Sequence, residues 1–251
     1  MQVQLIRHAT LRVSLGGHTF LVDPMLSDKD AMDPIQNASN SIRIPMVPLP
    51  FSSSELLKDV EAVFVTHTHR DHWDDAATRC IPQALPVVCQ PEDAQKFRDW
   101  GYTDVRPVAT EARFDGIRIL RTAGQHGSGE IGRKMAPVSG FVLRADSSPS
   151  LYIAGDTIYC PEVESVLAVH RPEVAVLNTG AAQFNTGGPI TMNALDVAKV
   201  CRNSPGTRVV AVHMEAINHC LLMRDELDRE LRNYRLRDRV AIPDDGEILR
   251  F

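Results

Sequence analysis

His67-Thr68-His69-Arg70-Asp71-His72 follows without a break on the apolar run Ala62-Val63-Phe64-Val65-Thr66, and Trp73-Asp74-Asp75 comes next, where a helix is predicted to begin at Asp74. Three imidazoles and one carboxylate fall within these six residues. The run before them, rich in β-branched and aromatic side chains, predicts a short strand that stops at the cluster. Neutral imidazole nitrogens and a carboxylate oxygen suit Zn²⁺, Mn²⁺ or Fe²⁺, whereas harder cations take more oxygen. His67 and His69 are two residues apart, so an extended loop can aim both at one point. Asp71 and His72 arrive as the chain turns into the helix and can aim at a second point nearby.

Working outward, residues 2–7, 10–15 and 18–23 alternate like strands, with Gly16-Gly17 as a hairpin signal. Residues 24–54 are irregular and hold Pro24, Pro34, Pro45, Pro48 and Pro50. A loop of this length inside a compact domain is usually functional, so it is read as a lid or substrate loop. From residue 55, strands and helices alternate. Strands are expected at 61–66, 85–89, 104–108, 116–122, 138–144, 150–154, 173–178 and 208–213, with short ones at the end of the chain. Helices are expected from Asp74, from Pro91, over 161–169, 191–202 and 221–235. Pro91 and Pro161 each sit where a helix start tolerates a missing N–H, with an acid beside them that favours the dipole. Two β-rich halves with their own helices fit an αββα sandwich in one domain over 1–251, although the pattern alone also admits a doubly wound α/β sheet.

The motif HTHRDH resembles the HxHxDH signature of the metallo-β-lactamase superfamily. Later segments are similar to the same family in order and interval: Gly124-Gln125-His126-Gly127 after a strand, Gly155-Asp156-Thr157 after Leu151–Ala154, and His213 after Arg208–Val212. The resemblance implies the αββα fold, with two mixed sheets and helices on the outer faces. It implies two divalent metal ions, one held by His67, His69 and His126, the other by Asp71, His72 and His213, with Asp156 between them. The imidazole-rich set favours Zn²⁺. Mn²⁺ is the other candidate, because Asp23-Pro24 and its surroundings are similar to the ascorbate-6-phosphate lactonase group.

What this implies chemically is hydrolysis by a hydroxide shared between two metals. A small ester-like substrate is expected, a lactone by subgroup resemblance. A phosphodiester or phospholipid on the same centre is the alternative, and a non-catalytic metal-binding regulator is the alternative of another class. Asp71 is the candidate to orient the nucleophile and carry a proton, and His219 to bind substrate or protonate a leaving group, against a reading in which it packs a helix start. Asp23 is the candidate outer partner for a ligand imidazole, against a turn-forming role. His8 is read as a strand histidine on a polar face, with an approach to the site as the alternative, and His18 is read as exposed. Arg70 could meet an anionic group. Asn178, Thr179, Gln183 and Asn185 are candidate pocket lining, and Cys220 is read as a packed thiol.

The rest of the composition narrows the partners. The 251 residues carry a net charge of −5, with 43% hydrophobic and 24% charged residues, as in a soluble globular protein rather than a nucleic-acid binder. Lys and Arg gather only at 224–239, interleaved with acids as on a solvated helix face. Five scattered cysteines without a CxxC pair suggest reduced thiols and a cytoplasmic protein. No signal peptide or membrane span is expected. The partner expected is a small-molecule substrate, with homo-oligomerisation open.

Overall fold

In the computed structural model, residues 1–135 and 137–251 are described. The chain opens with β1 (Gln2–Arg7), β2 (Thr10–Leu15) and β3 (His18–Val22), then α1 (Ser53–Leu56), β4 (Ala62–Val65), α2 (Asp75–Cys80), β5 (Val87–Cys89), α3 (Ala94–Asp99) and β6 (Val105–Pro107). There follow β7 (Glu111–Phe114), β8 (Ile117–Ala123), α4 (Gly129–Lys134), β9 (Ser139–Arg144), β10 (Leu151–Ile153), α5 (Pro161–His170) and β11 (Val174–Asn178). The last elements are α6 (Ala194–Asn203), β12 (Arg208–Val212), α7 (Arg224–Asn233), β13 (Val240–Ala241) and β14 (Ile248–Arg250).

The strands form two seven-stranded sheets, in the orders β14-β1-β2-β3-β4-β5-β6 and β13-β12-β11-β10-β9-β8-β7. Each sheet is antiparallel at one end and parallel at the other. β14 through β3 pair antiparallel, then β4, β5 and β6 run parallel to β3. Likewise β7 through β10 pair antiparallel, then β11, β12 and β13 run parallel to β10.

Strand alternation explains the layering. Phe20, Val22, Ala62 and Phe64 face Phe141, Ile153, Val174, Val176 and Val212 in a core between the sheets. Their neighbours Leu21, Val63 and Val65 point the other way and pack against Ala76, Ala77 and Phe97 of α2 and α3. On the far side, Ala175, Leu177, Val209 and Ala211 pack against α5, α6 and α7 through Val163, Val197 and Leu227. Strands covered on both faces read as continuous apolar runs, which is why β4 and β11 lack polar alternation. The result is the expected αββα arrangement. Helices α6 and α7 begin three residues later than the pattern suggested. Strand β7 and the short helices α1 and α4 were not foreseen.

Gly16-Gly17 closes the β2–β3 hairpin, with Leu15 paired to His18 and φ of +60° and +88° at the two glycines. Both central residues of such a two-residue turn need positive φ, which glycine adopts without a Cβ clash. The 24–54 segment is tied down on several sides. The buried Arg7 guanidinium donates to the carbonyls of Met25, Ser27 and Val47. Asp74 caps α2 through the Ala77 amide and also accepts from the Ser27 amide, both at 2.7 Å. Asn218 accepts from the Ile35 amide and donates to the carbonyls of Ile35 and Asn40.

Candidate metal centre

The parallel register of β3 and β4 builds the first half of the site. Val22 pairs with Phe64, so Asp23 falls beside Thr66. Asp23 accepts from the Thr66 amide and hydroxyl, both at 2.7 Å, and from His72 Nδ1 at 2.9 Å. The Thr66 hydroxyl spends its proton on Asp23, so it accepts from His67 Nδ1 at 3.2 Å. Parallel pairing of β11 and β12 sets Asn178 against Val212 and brings His213 to the same end of its sheet. Gly155, with φ +68°, lets the chain turn into Asp156; a Cβ there would lie 2.5 Å from the Ser139 carbonyl oxygen.

All seven predicted ligands converge. His67 Nε2 and His69 Nδ1 lie 3.0 Å apart, and these atoms form one group with His126. Asp71 Oδ2 lies 3.6 Å from His213 Nε2 and 3.8 Å from His72 Nε2. Asp156 touches both sets: its Oδ2 is 3.2 Å from His72 Nε2, 3.5 Å from His126 Nε2 and 3.8 Å from His67 Nε2, and its Oδ1 is 3.2 Å from His213 Nε2. Six of the seven are buried, and His69 is half-buried.

The outer nitrogens are fixed one by one. His67 Nδ1 meets Thr66, His72 Nδ1 meets Asp23, His126 Nδ1 donates to the Ile190 carbonyl at 2.9 Å, and His213 Nδ1 lies 3.6 Å from Cys220 Sγ. An imidazole donating through Nδ1 presents an unprotonated Nε2 inward, which is the tautomer a metal ligand requires. His72 Nε2 and His213 Nε2 are buried and have no hydrogen-bond partner among the described residues. Buried polar atoms without partners are costly, so this donor set fits divalent cations.

The electrostatics agree. Burial opposes charge on His72, yet Asp156, Asp23 and Asp71 push it up to about 10. His213 also rises well above the usual imidazole range against its burial, through Asp156 first. Asp71 and Asp156 fall well below the usual carboxylate range despite burial, drawn down by His72 and His213. The carboxylates thus gather positive charge around themselves, a demand that a cation satisfies. His67, His69 and His126 are instead lowered, chiefly by burial, and are neutral donors.

A cavity of about 240 Å³ opens onto the cluster, lined by His69, Arg70, Asp71, His126, Asp156 and His219 and by Ile35, Met135, Phe184 and Ile190. His219 therefore faces the site rather than capping α7, whose N-cap is Met223. Burial works against charge on His219, but Cys220 raises it above the ordinary value. Asn178 does reach the centre, donating to Asp156 Oδ1 at 2.7 Å. Thr179 turns back to the Val212 carbonyl, and Asn185 holds Asn37 and Ala38 of the long loop. His18, at the start of β3, pairs with Glu61.

His8 departs from its reading as a strand histidine on a polar face. It is fully buried in the β1–β2 turn at φ +60°, with Nε2 3.1 Å from Asp71 Oδ2. A register shift between Leu5 and Arg7 ends the alternation just before it, so strand periodicity could not place it. The sequence signal available was a histidine directly after the strand expected at 2–7.

Fold and site together define a metal-dependent hydrolase with a His/Asp centre between two sheets. A family model described as the beta-lactamase superfamily domain matches residues 18–214, and the chain belongs to that superfamily. The chain is 34% identical over 254 residues to the UPF0173 protein YddR of Bacillus subtilis, covering all of both chains. It is 31% identical over 181 residues to the UPF0173 metal-dependent hydrolase Ta0764 of Thermoplasma acidophilum, covering 71% of each. Among solved structures it is similar to an isothiocyanate hydrolase from Delia radicum gut bacteria, with TM-score 0.96 and 39% identity, covering 100% of this chain and 99% of that one. No helix among the described residues is long and apolar enough to cross a membrane.

Proposed function

We propose that this hydrolase is dinuclear and acts on a small molecule in which an electrophilic carbon carries an apolar substituent, with isothiocyanates as the substrate class. The observation that carries this reading is the cavity: its lining combines His69, Asp71, His126 and Asp156 with the apolar Ile35, Met135, Phe184 and Ile190. Apolar walls with a few convergent polar groups suit a compact, weakly polar ligand. The likeness to an isothiocyanate hydrolase over the whole chain supports the same class. The long loop supplies Ile35, so its part as a substrate loop belongs to this proposal.

His67, His69 and His126 would hold one divalent ion, and Asp71, His72 and His213 the other, with Asp156 between. When bound, two such ions lower the pKa of water toward neutrality and polarise the substrate heteroatom. Zn²⁺ suits the imidazole-rich set best, with Mn²⁺ the second candidate. Asp71 Oδ1 has no hydrogen bond to the described residues while its residue lines the cavity, so it is free to orient the attacking water and take its proton. His219, raised and facing the same cavity, donates a proton to the departing nitrogen. The balance is R–N=C=S + H₂O → R–NH₂ + COS: a C–O bond forms, the C–N bond breaks, and nitrogen takes both protons of the water.

A lactone presents a comparable carbon, and one with an apolar side chain would fit the same walls. A phosphorylated lactone or a phosphodiester is less well served, since Arg70 is the one Lys or Arg among the described lining residues. The test is a side-by-side assay of benzyl isothiocyanate, an alkyl lactone and bis(p-nitrophenyl) phosphate on metal-loaded protein, with His67→Ala as control. The isothiocyanate should be turned over with the highest kcat/KM, releasing benzylamine. Turnover of the phosphodiester alone would refute the assignment.

A further inference from the structure

We propose that His8 is a positioning residue that acts through Asp71: its Nε2–H donates to Asp71 Oδ2 and holds the carboxylate with Oδ2 toward His72 and His213 and Oδ1 in one orientation. The inference rests on the reading of Asp71 as a carboxylate of the metal centre.

Three observations carry it. First, His8 is completely buried, and its Nε2 lies 3.1 Å from Asp71 Oδ2. Second, its ring packs on the His213 ring with centroids 3.6 Å apart, and the His8 carbonyl accepts from the His213 amide at 2.9 Å. Both residues have positive φ, +60° and +72°. Backbone in that region is costly for residues with a Cβ and persists where the surroundings over-determine it. The turn and the strand end are thus locked to each other, which fixes the His8 ring. Third, the tautomer can be assigned. His8 Nδ1 is buried without a partner among the described residues. A proton on Nδ1 would leave a buried donor without an acceptor and turn an Nε2 lone pair on the Asp71 carboxylate. A proton on Nε2 makes the 3.1 Å contact with Asp71 Oδ2 a hydrogen bond, so the proton sits there.

That tautomer separates two roles the distances alone leave together. His8 groups within metal-binding range of Asp71, His72 and His213. A ligand, however, must present an unprotonated Nε2, which would move the proton to the orphan Nδ1. His72 and His213 have the opposite arrangement, with Nδ1 engaged and Nε2 free. His8 is therefore assigned as a donor to a ligand and not as a ligand itself.

The role matters because a monodentate carboxylate can rotate. With Oδ2 held, Oδ1 keeps one orientation in a residue that lines the cavity, where a water or a substrate heteroatom would meet it. Partners of this kind typically cost about 10–100-fold in activity or metal affinity when removed.

The test compares His8→Phe, which keeps a ring against His213 but has no donor, with His8→Gln, which restores an N–H, and places each in the Asp71 and Asp71→Asn backgrounds. Readouts are metal per chain by elemental analysis, the visible spectrum of the Co²⁺-loaded protein, and kcat and KM for benzyl isothiocyanate. His8→Phe should keep both metal equivalents, shift the Co²⁺ spectrum, and lower kcat about 10–100-fold with KM nearly unchanged. His8→Gln should recover most of that loss. In the Asp71→Asn background the His8→Phe change should add almost nothing to the spectral shift, as coupling through one partner requires. His8→Leu replaces the Phe variant if the latter does not fold. Loss of one metal equivalent in His8→Phe would overturn the inference by making His8 a ligand, and so would a wild-type spectrum and kcat. A wild-type chain that takes up no Co²⁺ would refute the metal centre itself, and the inference with it.

Discussion

The two sheets are built on one plan, antiparallel at one end and parallel at the other, yet they deliver the site in different ways. The first sheet places His67, His69, Asp71 and His72 in one loop after β4. The second supplies His126, Asp156 and His213 one at a time, after β8, β10 and β12. Four side chains in a single turn are set by local geometry and by Asp23 beside them. Three side chains from three strands meet only if the sheet register is correct. The buried partners differ as well: Asp23, a carboxylate with three hydrogen bonds, serves the first set, while a carbonyl and a thiol serve the second. Local delivery makes a motif, and distributed delivery surrounds that motif with the remaining donors of the cluster.

Substitutions can break this comparison in a defined order. Asp156→Ala should be the most damaging, because this one carboxylate touches both sets; elemental analysis should show both metal equivalents weakened, with activity falling beyond the ~10–100-fold that an outer partner costs. Asp71→Asn should come next, lowering kcat far more than it lowers metal content. A parallel loss of metal and turnover would remove its part in proton transfer. Asp23→Asn should cost about 10–100-fold in activity or affinity. Cys220→Ser, its counterpart on the second sheet, should sit at or below the low end of that range, since a 3.6 Å sulfur contact is the weaker tether. If Cys220→Ser proved the costlier of the two, the contrast between the halves would reverse.

The smallest effect lies at the start of β3, at the opposite end of that strand from Asp23. His18 is raised by its hydrogen bond to Glu61, and Glu61 is lowered by the same bond. The raised histidine stabilises the fold below its ordinary value of 6.5 and stops doing so as pH climbs through its folded value. The lowered carboxylate contributes above its ordinary 4.5 and stops as pH falls through its folded value. Glu61→Gln should therefore lower Tm most near about pH 5.5 and negligibly at alkaline pH, within the ~0–1 kcal/mol of exposed pairs. Metal content should not change.

The sequence made the centre more legible than its surroundings. Imidazoles at strand ends announced themselves, because few other patterns put so many donors in six residues. The apolar runs left a sandwich and a doubly wound sheet both open, and the resemblance carried by the histidine motifs decided between them. For His8 the sequence favoured the wrong one of two readings, because its position depends on an irregular turn and on a φ that no periodicity reports. His219 could not be decided, since a histidine before a helix reads alike whether it faces a cavity or the helix. The 24–54 segment was visible as an irregular stretch, but its course depends on Arg7, Asp74 and Asn218, partners up to 183 residues away in sequence.

The claim that two sets of ligands make two metal sites is tested most directly by counting metal in the purified chain and in His213→Ala. The wild type should bind two divalent ions per chain, and His213→Ala should keep the one held by His67, His69 and His126 while losing the other. A wild type that binds none, or one equivalent that His213→Ala leaves untouched, would contradict it.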